Sequence, residues 1–321
     1  MPGRSFVRAS SVALALFVAS ALPARAGDDA ATYETLLTAK APAVVSIKFV
    51  LKANMGGQTQ ESNQEVRGTV IDPSGLILVG NDELDGQMAM MKAMMKARHM
   101  DVEMSATPTD VKVLFGNEAK ELPAVLVARD STLGLAYMQI LDLEGRTPEA
   151  VDLGKGAAPK IGQSVFGVTR KSRGFDCAPT IDRLVVNGHV EKPRPLWSVS
   201  GAFKGAGIPV FDADGRAVGV YSNQKGSEGV DDDGAGGAGA LLAALGGASE
   251  GSCLLPLEAV MKSVEAARKR IPDAVARAKD AAAKEAAAKE AAAKEKDGAP
   301  PEAPKAPETP KAPDAPKDQP K

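Results

Sequence analysis

Ser200-Gly-Ala-Phe-Lys-Gly-Ala-Gly-Ile-Pro-Val-Phe-Asp-Ala-Asp-Gly-Arg-Ala-Val-Gly-Val-Tyr221 is the stretch on which the fold turns. Its first part is a glycine-rich loop with Gly201, Gly205 and Gly207. Two short β-forming runs follow, residues 209–211 and 217–221, joined by Asp212-Ala213-Asp214-Gly215. Asp and Gly at those positions are turn chemistry: the carboxylate can bond nearby amides and Gly accepts a positive φ. Loop, strand, tight turn and strand therefore follow one another within 22 residues.

The same grammar extends outward. Apolar β-rich runs occupy residues 43–51, 66–71, 76–79, 111–115, 124–127, 136–140, 164–168 and 184–190, with turn signals such as Asp72-Pro73-Ser74-Gly75 between them. Many short strands with regular Gly, Pro and Asp punctuation mean a sandwich or barrel. No β-α-β alternation is present, which argues against a doubly wound sheet. Short helices are expected at residues 32–40 and 254–270. In the second, Leu257, Val260, Met261, Val264 and Ala267 recur at helical spacing and Pro256 suits a first turn.

The ends differ from the middle. Arg4 and Arg8, an apolar run over residues 12–22 and Ala24-Arg25-Ala26 resemble a secretory signal cleaved before Gly27. The apolar run is too short to span a bilayer comfortably. Residues 281–295 repeat Ala-Ala-Ala-Lys-Glu, a solvated helical spacer. Residues 298–321 are Pro-, Ala- and Lys-rich and carry no apolar payload. The expected divisions are a signal at 1–26, a β domain at 27–271, a spacer at 272–297 and a tail at 298–321.

A 321-residue chain, 44% hydrophobic, with a formal net charge of −2, has room for a large core and no basic excess that would mark a nucleic-acid surface. The expected partner is a protein or peptide, with the cell envelope as one source. The expected location is secreted or periplasmic. Cys177 and Cys253 are compatible with a disulfide or with two buried small hydrophobes. Their spacing gives no zinc motif.

Several blocks in order resemble trypsin-like serine proteases of the HtrA type. Residues 41–47 resemble the opening strand. Gly68-Thr-Val-Ile-Asp-Pro-Ser-Gly75-Leu-Ile-Leu78 resembles the family's Gly-x-Val-Ile-x-x-x-Gly-x-Ile-Leu hairpin. Asp130 to Ala136 resembles Asp-x-x-x-Asp-Leu-Ala, and Asp152-Leu-Gly154 with Ile161-Gly-Gln-Ser-Val165 resembles the Leu-Gly and Val-Gly-x-x-Val pair. The opening stretch resembles Gly-Asn-Ser-Gly-Gly-Pro-Leu followed by the Asp-x-x-Gly-x-x-x-Gly hairpin, through Pro209, Val210, Asp214, Gly215 and Gly219. The resemblance implies an all-β double six-stranded antiparallel barrel, covering roughly residues 41–270, and no peptide-binding domain after it.

The resemblance also implies where a catalytic triad would sit, and the required residues are missing. Asp82 stands at the histidine position, Gly134 at the aspartate and Ala206 at the serine. Lys204 stands where a glycine supplies an oxyanion-hole amide. A Ser-His-Asp mechanism needs a hydroxyl, a base and a group orienting that base; each role is lost separately. The chain has two histidines, His99 and His189, and Ser200 lies six residues before Ala206. The expectation is an inactive protease homologue acting as a binding scaffold or regulator, with no catalytic residue, metal ligand or cofactor.

Two alternatives use other features: an active endopeptidase with a displaced catalytic set, and a metal-binding envelope protein. The latter would use the Met-rich insertion at residues 87–104, in which seven Met accompany His99. A copper site, a lid on the barrel and an adaptable partner surface are the readings of that insertion. The Gly-x-Gly-x-x-Gly at residues 234–239 lacks a surrounding β-α-β unit and follows Asp231-Asp232-Asp233, so it is not a phosphate loop. That Asp triplet also lacks the ligand alternation of a calcium loop. Leu241, Leu242 and Leu245 are candidates to fill a redundant specificity pocket.

Overall fold

The computed structural model describes residues 26–55, 58–85, 104–192, 194–223 and 251–297. Two closed antiparallel barrels of six strands each make up most of it. The first contains β1 (Val44–Met55), β2 (Gln58–Asp72), β3 (Leu76–Gly80), β4 (Met104–Phe115), β5 (Leu122–Asp130) and β6 (Leu135–Ile140). The second contains β7 (Ser164–Arg170), β8 (Pro179–Val190), β9 (Leu196–Ser200), β10 (Ile208–Phe211), β11 (Ala217–Asn223) and β12 (Ser252–Leu255). The strand order is β1-β2-β3-β6-β5-β4 in one and β7-β8-β9-β12-β11-β10 in the other, so both halves use the same winding. This is the chymotrypsin-like architecture, and closure leaves neither barrel a free sheet edge along its closed girdle.

Strand periodicity explains how the barrels meet. In β3, Ile77 and Val79 point into the first barrel's core, while Leu76 and Leu78 join a second cluster. In β6, Ala136, Met138 and Ile140 face inward and Leu135 and Tyr137 outward. Side chains alternate across a strand, so an apolar residue at every position means that both faces are covered. The outward cluster is the seam: it also takes Phe166 of β7, Phe211 of β10, Val220 of β11 and Leu255 of β12. The second barrel's interior is filled by Val165, Leu184, Val186, Val199, Val210, Val218, Tyr221 and Leu254.

Helices lie over this seam. α1 (Ala26–Lys40) buries Leu36 and sets Tyr33 edge-on to Phe166, with ring centroids 5.3 Å apart. α2 (Asn81–Asp85) is a single turn directly after β3. α3 (Leu257–Asp297) begins after Pro256, whose carbonyl accepts the Val260 N–H at 3.2 Å. Val260, Val264 and Ala267 are buried on the seam as the periodicity predicts. The helix does not stop near Arg270. It passes through Pro272 with that residue on its exposed face, and Ile271 and Ala274 keep packing on the barrel. Proline cannot bond the carbonyl four residues back and its ring crowds that turn, a cost of about 3 kcal/mol; burial of the next apolar turn offsets it.

Several strands differ from the sequence reading for identifiable reasons. β9 is absent from the expected strands, and Leu254 and Leu255 of β12 fall in the expected helix, because Ser252-Cys-Leu-Leu255 has four residues and no visible period; pairing of β12 with β9 and β11 decides both. β1, β2 and β4 also run beyond the barrel, with Met55 opposite both Gln58 and Met104. Cys177 and Cys253 are both buried free thiols, and Cys253 donates to the Ser222 carbonyl at 3.3 Å.

Candidate functional site

Three segments converge where the barrels meet: the end of β3 with α2, the turn between β5 and β6, and the loop between β9 and β10. The Asn81 N–H donates to the Gly134 carbonyl at 2.9 Å, which joins α2 to the β5–β6 turn. That turn is held by Asp130, whose Oδ1 accepts the Leu133 N–H at 3.0 Å and whose Oδ2 accepts the Ser263 hydroxyl of α3 at 2.6 Å. Gly134 follows with φ +67°, a conformation that glycine takes without steric cost. On the opposite side of α2, Arg129 bridges Asp85 at 2.5 Å and Asn81 at 3.4 Å.

The β9–β10 loop meets β3 through bare backbone. A side chain at Gly207, where φ is +72°, would place its Cβ 2.4 Å from the Gly80 nitrogen. A Cβ on Gly80 would lie 2.9 Å from the Ala206 carbonyl carbon and oxygen. Two glycines are therefore required for the approach. Phe203, from the same loop, turns into the second barrel. Its ring stands edge-on to Tyr221 at 5.0 Å and against Gly167, where a Cβ would be 2.7 Å from it. The Tyr221 hydroxyl donates to Asn223 Oδ1 at 2.8 Å and lies 3.0 Å from Ser252 Oγ. Aromatic rings thus occupy the barrel interior beside the site.

The structure brings Asp82, Gly134 and Ala206 to this junction on three separate elements. Asp82 is exposed on α2, Ala206 is half-buried and Lys204 is exposed. The neighbour of Asp82 is the residue that sequence reasoning missed. Glu83 is half-buried and turned toward the loop: its Oε1 lies 3.3 Å from where a Gly205 Cβ would stand. Burial pushes its pKa up, the Ala206 amide and Lys204 oppose this, Asp82 adds to it, and the net direction is upward. The available signal was a second carboxylate directly after Asp82.

The other candidates lie elsewhere. Ser200 donates to the Val185 carbonyl at 3.3 Å, in the rung that pairs Val185 with Ser200. His189 pairs with Trp197, and their rings are 4.4 Å apart. Three steps along β9, from Ser200 to Trp197, separate the two rungs, about 10 Å at ordinary strand rise, and β8 bulges between them. His99, the rest of the Met-rich insertion before Met104, the Gly-rich segment 234–239 and Leu241, Leu242 and Leu245 lie outside the described residues.

No protein-family model and no curated protein matches the chain. Among solved structures the chain is similar to Deg5, with 18% identity and a TM-score of 0.45, covering 73% of this chain and 92% of that one. No helix among the described residues is long and apolar enough to cross a membrane.

Proposed function

We propose that this chain is a catalytically inactive homologue of HtrA-type serine proteases that binds protein or peptide segments as a scaffold or regulator. One observation carries the reading. The junction where a chymotrypsin-like fold assembles its triad presents Asp82, Gly134 and Ala206 on the three converging elements. Ala206 has no hydroxyl, Gly134 has no side chain to orient a base, and Asp82 offers a carboxylate where the mechanism needs an imidazole. Ser200 and His189 stand on rungs about 10 Å apart, which speaks against a displaced pair.

The resemblance of the first 26 residues to a secretory signal supports a role outside the cytoplasm, in the periplasm or secreted. The Ala-Lys-Glu spacer and Pro-rich tail then serve to hold the barrels away from, or against, an envelope component. The test is incubation of the full mature chain with casein and with a fluorophosphonate probe. The expected result is no cleavage and no covalent labelling. Turnover that disappears in a Ser200→Ala or His99→Ala variant would overturn the reading.

A further inference from the structure

We propose that the outer half of β2, residues 58–66, is a docking edge for an extended polypeptide segment that carries basic side chains at alternate positions. This rests on the reading of the chain as a binder of protein or peptide segments. It places the segment on an element that takes no part in the degenerate protease junction.

The first observation is an unpaired row of backbone. β2 pairs with β1 from Gln58 to Thr69 without a shift in register. On its other side, β3 meets only Thr69, Val70 and Asp72. From Gln58 to Val66, no strand among the described residues lies on that side, over about 30 Å at ordinary strand rise. Every second residue of such an edge turns its N–H and C=O away from the neighbouring strand. The row stops at the barrel, where Arg67 bonds the Val66 carbonyl at 3.1 Å and reaches on to the carbonyls of Arg170 and Lys171.

The second is the contrast with the opposite edge. β4 also leaves the barrel and pairs with β5 only at Lys112 and Val113. Its open stretch is blocked twice. Pro108 has no N–H, and the ladder to β1 bulges at Asp110, whose φ is +49°. Proline, lysine and bulges close an edge to further strands. Residues 58–66 contain no Pro, no Lys and no bulge.

The third is charge. Glu61 and Glu65 are exposed, share one face and are the charged residues of this stretch. Glu61 Oε1 pairs with Lys52 of β1 at 2.9 Å and Glu65 Oε1 with Arg67 at 3.0 Å. A carboxylate keeps a second oxygen with which to accept. Opposite charges across a strand pair stabilise it and like charges oppose it. On the other face, Gln64 Nε2 donates to Ser62 Oγ at 3.1 Å, a surface suited to neutral side chains. A basic segment is favoured over an acidic one, and over a second copy whose edge carries the same two carboxylates.

Peptide binding and amide exchange on the full mature chain test this. The probe is a fluorescein-labelled peptide of alternating Thr and Val with two Lys four residues apart. It should bind, and every second amide between 60 and 66 should gain protection while the β10–β11 rungs stay as they were. Replacing both Lys by Glu should weaken binding about tenfold or more. Of two versions methylated on alternate backbone nitrogens, one should lose binding and the other keep it, because only one edge of the peptide meets β2. In a Glu61→Gln, Glu65→Gln double variant, the preference for Lys should disappear. Protection that arises elsewhere, equal loss with both methylated versions, or no preference for Lys in the wild type overturns the proposal. Self-association that protects the same amides without peptide also overturns it, since a second copy then occupies the edge. Reduced and carboxymethylated lactalbumin separates the two readings. Its binding without that of the Lys peptide counts against the edge alone, whereas binding of neither counts against the scaffold reading as well.

Discussion

At the scale of single residues, the chain is marked by a carboxylate where an apolar side chain would pack. Glu83 is half-buried, and burial is the largest influence on it, raising its pKa despite the Ala206 amide and Lys204. A carboxyl group with a raised folded-state pKa binds protons more readily in the native than in the unfolded state. Stability attributable to it is therefore greatest at low pH and falls as pH rises from the ordinary carboxylate range through the raised value. Glu83→Gln keeps the size and polarity of the side chain without the buried charge. In urea melts from pH 4.5 to 8, this variant should gain on the wild type as pH rises and then level off. Taking the difference between the two proteins removes most contributions of other titrating groups, although Asp82 and Lys204 face this side chain and shape the curve. A variant that instead loses ground with rising pH would show that the amide and Lys204 outweigh desolvation. Little of this was legible beforehand. Asp82 reads as the residue at a lost histidine position and Glu83 carries no signal of its own, because its burial depends on a loop more than 100 residues away in sequence.

At the scale of elements, legibility followed hydrophobic alternation. β3 and β6 announce themselves because, Gln139 apart, their residues are apolar or glycine and the two faces serve two clusters. The outer part of β2 does not. Residues 58–65 are Gln, Thr, Gln, Glu, Ser, Asn, Gln and Glu, held in register by β1 and not by a buried face. Backbone pairing leaves no imprint in side-chain hydrophobicity. α3 shows the opposite error, since Pro272 is a strong local stop signal that tertiary packing overrides. That argument fixes where the helix matters. Ile271 and Ala274 lie on the seam, whereas residues 279–284 are exposed. Truncation after Lys279 should leave thermal stability within about 0.5 kcal/mol of the full chain. Truncation after Arg270 removes the seam contacts of Ile271 and Ala274 and should cost roughly 2 kcal/mol by apolar burial alone. Equal melting curves for the two truncations would mean that the helix is not held beyond the proline.

At the scale of the whole molecule, the junction can keep its shape only if the two barrels hold a fixed relation. Apolar packing supplies adhesion but little direction; a pair of arginines supplies direction. Arg170 of β7 reaches into the first half of the chain, donating from Nε to the Val44 carbonyl at 2.9 Å and from Nη2 to Ala41 at 2.7 Å. Its Nη1 donates to the Cys177 carbonyl at 3.1 Å. Arg67 of β2 reaches the other way, to the carbonyls of Arg170 at 3.1 Å and Lys171 at 2.8 Å. The planar guanidinium presents several donors in a fixed fork, so one side chain can set both the distance and the rotation between two sheets. Lysine has three donors around a point charge and cannot reproduce the fork. Arg170→Lys should therefore destabilise the protein by about 2 kcal/mol or more, since charged hydrogen bonds are worth roughly 1.5–3 kcal/mol each and carbonyls would lose partners. The informative readout is local. If the arginines set the inter-barrel relation, the slow exchange expected of the Gly207 amide, which donates to the Tyr221 carbonyl at 2.8 Å, should weaken in Arg170→Lys, although the Arg170 guanidinium bonds to Ala41, Val44 and Cys177. The interior rungs of each barrel, such as Ile77 opposite Met138, should remain protected. A uniform loss of protection across both barrels would instead identify Arg170 as a general contributor to stability, with the junction's geometry fixed by the apolar seam.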